Sequence, residues 1–137
     1  MRFTDFLVFY PMANFRRKKI DKSMWRKQLG QAVFLASLNI SLMLIIAVEI
    51  IGFLVFRVNV YEIYSIDIPI VIVGILNSVL FDYVYVKKKR YEYITSNQYK
   101  PFILSVTLGV TITFLIFVFC LIGCIGIPLA VDALLAR

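Results

Sequence analysis

The sequence predicts an all-α membrane protein: three transmembrane helices preceded by a basic, aromatic-rich interfacial segment. Three observations lead there. Residues 28–56 run twenty-nine positions with Glu49 as the only charge, and residues 68–86 and 101–131 add apolar runs of nineteen and thirty-one. At 61% hydrophobic and a mean hydropathy of +0.88, the 137 residues are too apolar for an ordinary soluble domain. The basic residues also cluster: thirteen of the fifteen Lys and Arg fall in 1–27 and 87–100, leaving Arg57 and Arg137.

Residues 1–27 form the preamble. Phe3, Phe6, Leu7 and Tyr10 recur at helical spacing, which predicts a short helix lying in the headgroup region, ended or kinked by Pro11. Arg16, Arg17, Lys18, Lys19, Lys22, Arg26 and Lys27 follow, with Trp25 at interfacial depth. The cluster reads as an orientation-setting contact with anionic lipid. Nucleic acid is excluded as the partner, because placement between spans already accounts for the net charge of +7.

Residues 28–137 form the transmembrane unit. About 20 residues cross the hydrocarbon core, so the first run, placed at 30–56, has length to spare at about 43 Å. Residues 57–67 are a short loop with Tyr61 and Tyr64 as belt aromatics. The second span, at 68–90, has Pro69 in its first turn and one acid, Asp82. Lys87, Lys88, Lys89 and Arg90 close it and read as further lipid contacts, and the helix is expected to run on toward Ile94. The third span, at 101–125, belongs to a charge-free run of about 46 Å, too short for a hairpin of two crossings. Gly123, Gly126 and Pro128 predict a break there, followed by a short interfacial helix over 128–136. The positive-inside rule places the N-terminus in the cytoplasm and the C-terminus outside, with the bacterial cytoplasmic (inner) membrane as the expected location.

Enzyme chemistry finds no foothold in the residues. Histidine is absent, which removes the commonest general base and metal ligand. Cys120 and Cys124, i and i+4 on one helix, suit neither a disulfide nor a zinc site and read as small packing residues. No nucleotide loop or catalytic constellation is present, and no cofactor is implied. Residues 6–10 are too short for the apolar region of a secretory signal.

Four polar positions remain as intramembrane candidates: Glu49, Asn39, Asn77 and Asp82. Glu49 falls about 10 Å toward the outer side of the first span's midpoint, where a charge is costly. It reads either as an ion, proton or partner contact or as an interfacial acid. Asp82, near the inner end of the second span, reads as an acid paired with Lys or Arg. Asn39 and Asn77 share a depth near the midplane and are expected to bond to each other or to a second subunit. Small residues mark close helix approach: Ala32 and Ala36, Gly74 and Ser78, and Ser105, Gly109 and Thr113.

The opening Met1-Arg-Phe-Thr-Asp-Phe-Leu-Val-Phe-Tyr, then Leu35, Asn39 and Ile40, then Val86-Lys-Lys-Lys-Arg-Tyr, resemble small uncharacterised multi-pass proteins encoded in many bacterial genomes. The resemblance implies a membrane location and transfers no activity or site residue. The expected function is a non-enzymatic assembly or interaction subunit that self-assembles or binds a membrane or cytosolic partner. The alternative is an oligomeric pore around Asn39, Asn77 or Glu49, of the kind used to disrupt membranes in bacterial defence or competition.

Overall fold

The computed structural model describes residues 3–17, 25–63, 67–96 and 105–136, and all regular structure among them is helical. In chain order the helices are α1 (Phe3–Arg17), α2 (Trp25–Ile51), α3 (Val60–Ile63), α4 (Asp67–Asp82), α5 (Arg90–Thr95) and α6 (Val106–Leu135). A π-helical turn extends α2 through Gly52–Phe56, and another extends α4 through Tyr83–Lys87. The fold class expected from sequence is therefore met in its helical part. Two helical stretches, Lys27–Phe56 and Val106–Leu135, are long and apolar enough to cross a membrane, each thirty residues. Only 33% and 17% of their most apolar windows are buried, whereas the core helix of a soluble protein covers its apolar stripe.

α2 is the hub. It packs against α1, α4 and α6, and α6 packs in turn against α1. One core cluster joins Leu7, Tyr10, Ala32, Ala36, Phe81, Tyr85 and Ile94 at the α1 end of the bundle, and a second joins Leu42, Ile45, Cys120 and Cys124 farther along. The small residues act where α1 descends. Ala32 and Ala36 are fully buried, and a Cβ on Gly109 would overlap the Tyr10 ring, so only glycine allows that approach. The Gly74 and Ser78 stripe is different: a Cβ at Gly74 would meet nothing, so it does not set a contact in this chain.

Four local expectations give way to the structure. The apolar face of α1 is covered by the protein itself: Phe6, Leu7 and Tyr10 are buried and only Phe3 stays open. Pro11 does not end α1, which runs on to Arg17. One missing N–H is a local loss, and the burial of Leu7, Val8, Tyr10 and Met12 outweighs it. Pro128 likewise sits inside an unbroken α6, buried, with Gly123 and Gly126 in the same helix, so the separate helix over 128–136 does not form. Helices crossing a membrane tolerate such a proline when neighbours satisfy the freed backbone. Finally, α4 does not run on to Ile94. It stops at Lys87, Lys89 takes a left-handed conformation (φ 52°), and α5 begins at Arg90, turned back toward α1.

The first span ends as expected. Arg57 adopts φ 56°, the usual left-handed closure of a helix, and its N–H reaches the Phe53 carbonyl at 3.1 Å. Lys18, Lys19, Tyr64 and the start of the third span at 101–104 lie outside the described residues.

Candidate functional site

Two buried acids mark the two ends of the bundle, and their surroundings differ. At the α1 end, Asp5 is 1% exposed and accepts three hydrogen bonds: from Tyr85 Oη at 2.8 Å, Arg90 Nε at 3.0 Å and Arg90 Nη2 at 2.7 Å. The bidentate geometry is that of a strong charge-assisted pair. The hydrogen bond to Asp5 raises the Arg90 pKa above its ordinary value, while burial acts the other way. This cluster ties α1 to the end of α4 and to α5. Sequence reasoning missed Asp5 and grouped Arg90 with the lipid contacts. Lys87, Lys88 and Lys89 do remain exposed, with Lys88 Nζ 5.2 Å from the Tyr83 ring centre and Lys89 3.9 Å from Glu92.

At the other end, the chain folds back over Glu49. Gly52 makes this possible, since a Cβ there would overlap the Val60 side chain that packs into the notch. Asn59 holds the segment down in two ways. Its Oδ1 accepts from the Tyr61 N–H at 3.0 Å, and its carbonyl accepts from Glu62 N–H at 3.2 Å, which caps α3. Its Nδ2 reaches across to α6, donating to Asp132 Oδ1 and, at 3.5 Å, to the Pro128 carbonyl.

Beneath this cover Glu49 is 1% exposed, and neither carboxyl oxygen has a hydrogen-bond partner among the described residues. The Val60 and Tyr61 backbone amides lie nearest it, but the Tyr61 N–H is already given to Asn59. Asp132 lies within electrostatic reach. The Tyr61 hydroxyl is also buried and unpartnered, and burial pushes its pKa up to about 12, with Cys124 and Glu49 adding to the shift. Cys124 Sγ donates to the Leu42 carbonyl at 3.7 Å. Arg57 is exposed and lies 5.4 Å from the Phe53 ring centre.

The remaining candidates are placed as follows. Asn39 is buried, donates to the Leu35 carbonyl at 3.3 Å and leaves Oδ1 unpartnered. It borders a cavity of about 180 Å³ lined also by Pro11, Asn14, Val110, Thr113 and Phe117. Asn77 does not meet it; Asn77 Nδ2 donates instead to Ser41 Oγ at 3.0 Å, joining α4 to α2. Asp82 is exposed and makes no ion pair among the described residues. Glu49 and Asp82 thus remain apart, and the acid that approaches Glu49 is Asp132. Asn59 had a readable signal, an Asn three residues before Glu62 at a helix start, whereas Asp132 offered none.

Compared with known proteins, the chain matches no protein-family model, no curated protein and no solved structure.

Proposed function

We propose that this protein is a non-enzymatic assembly subunit of the bacterial cytoplasmic membrane that crosses it three times and binds through its helices to further copies or to another membrane protein. The observation that carries this reading is where its polar groups turn. Asn39, Ser37, Ser41, Glu49, Asn59 and Thr113 are all buried within a single chain, and Asn77 spends its amide on Ser41. A pore assembled around Asn39, Asn77 or Glu49 would need those groups on a shared watery axis. The faces left open are apolar instead: Val71, Ile72, Ile75, Leu76, Val79 and Leu80 on α4, and Phe114, Phe119, Ile122, Ile125 and Leu129 on α6.

The third crossing is α4. With its π-helical turn it runs unbroken from Asp67 to Lys87, 16 plus 5 residues, or about 31 Å. Its end at Lys87–Lys89 lies beside the start of α1, where Tyr85 and Arg90 meet Asp5, and the basic run 87–90 marks that end of the bundle. That end faces the cytoplasm and anionic lipid; α3 and the end of α6 face outward. Mild detergent extraction followed by mass measurement of the intact complex tests the reading, with an assembly larger than one chain expected. A monomer without partners, or ion flux from reconstituted vesicles, would refute it.

A further inference from the structure

We propose that Glu49 is a proton-binding site: its carboxyl is neutral in the folded protein, and residues 57–63 form a cover that lifts when the proton leaves. This goes beyond assembly and rests on the Glu49 surroundings alone. An ionised carboxylate seeks several well-formed hydrogen bonds, yet both Glu49 oxygens are enclosed, and the donors near them are only the Val60 N–H and the Tyr61 N–H, the latter shared with Asn59. The groups that surround it supply no balancing charge. From α6 comes Asp132, which is acidic; from α3 comes the phenol Tyr61, itself beside the Cys124 thiol, with Glu62 exposed. Arg57, the nearest base in sequence, is exposed and turned over Phe53. A second carboxylate without a cation favours the protonated form.

A metal ion fits less well. No three His, Cys, Asp or Glu side chains converge among the described residues, and the backbone groups nearest Glu49 are N–H donors. The cover is held by two small devices, Val60 in the Gly52 notch and Asn59 on Asp132 and the Pro128 carbonyl. Loss of the proton would place negative charge beside Asp132, the residue that anchors Asn59. It would also demand water at Glu49, which the segment excludes. Both effects act in the same direction, against the closed cover.

The test uses the full chain in lipid nanodiscs, with two readouts. The first is the infrared carbonyl stretch of a protonated carboxylic acid, followed from neutral to alkaline pH in wild type, Glu49→Gln and Asp132→Asn. The second is alkylation of Cys124 by N-ethylmaleimide in a Cys120→Ser background, taken as the ratio of the wild-type rate to the Glu49→Gln rate. We expect the neutral-pH band to be absent from Glu49→Gln and kept in Asp132→Asn. The alkylation ratio should start near one and rise tenfold or more over the pH range in which the band is lost. An unchanged band in Glu49→Gln overturns the proposal, as does a band that persists wherever the protein stays folded, or a ratio that stays flat while the band disappears. An amide is isosteric with the neutral acid, so failure of Glu49→Gln to fold overturns it too.

Discussion

The Asp5–Arg90–Tyr85 cluster should decide whether α1 stays in the bundle, and a double-mutant cycle can measure it. Asp5→Leu leaves two donors behind. Arg90, whose side chain is 29% exposed, can turn toward water, but Tyr85 is 2% exposed and its hydroxyl loses its Asp5 acceptor. Together these losses come to about 3 kcal/mol, the low end for breaking a buried pair. Arg90→Met should cost more, about 4 kcal/mol, because it takes the bidentate cation away from a carboxylate that is 1% exposed. The double variant removes both charges and takes the Asp5 acceptor from one hydroxyl, at about 2 kcal/mol. The readout is alkylation of a cysteine placed at Val8, which is 1% exposed, with Cys120 and Cys124 replaced by Ala. At about 1.4 kcal/mol per tenfold, Asp5→Leu should speed trapping roughly a hundredfold, and the double variant should be slower than Arg90→Met alone. Rates within twofold of wild type, or a double variant equal to the product of the singles, would refute the argument.

Gly109→Ala should destabilise the protein by about 1–3 kcal/mol by pushing Tyr10 off α6, whereas Gly74→Ala should be neutral or mildly stabilising; thermal unfolding in detergent separates them. Asn77→Leu should cost about 0.6–1 kcal/mol and Ser41→Ala more, since Ser41 Oγ also donates to the Ser37 carbonyl at 2.8 Å; the double variant should cost no more than Ser41→Ala alone, because the Asn77–Ser41 bond is shared, and the same unfolding measurement checks the coupling. Single cysteines at Lys88 and at Glu62 should label from opposite sides of the membrane, with Lys88 protected in intact cells; labelling of both from outside would reverse the third crossing.

Much of the helical fold was legible because long apolar runs bounded by basic residues leave few alternatives to a helix. Lys27 and Arg57 bracket the first apolar run, and the described helix with its π-helical turn stops at Phe56, one residue before that arginine. The placing of α1 was not legible. Its periodicity announces an apolar face, but the residues covering it come from α2, α6 and the end of α4, far along the chain. The two prolines show a similar limit, since a local rule for helix ends cannot weigh the packing on either side. Asn77 does reach α2 close to Asn39, at Ser41 two residues on. Depth, however, does not set direction around a helix. Ser41, two residues past Asn39, is rotated by about 200°, so the residue that faces α4 is Ser41 and Asn39 faces α1 and α6.

The site turned on the same distinction between having an acid and having its partner. Asp5 and Glu49 look alike in sequence, each a lone acid in an apolar stretch, and both are 1% exposed. What separates them is how the chain leaves the neighbouring helix. After Lys89 takes its left-handed turn, Arg90 comes back over α1 and meets Asp5 with two hydrogen bonds. After Arg57 takes the same kind of turn, its own side chain stays exposed over Phe53, and an amide, Asn59, reaches back to α6. Asn59 binds Asp132 and leaves Glu49 unpaired. One acid is therefore neutralised by a fixed cation and fastens α1, while the other depends on a proton, which can leave. An arginine carried to Glu49, as Arg90 is carried to Asp5, would make the two ends equivalent and remove the pH dependence from the second.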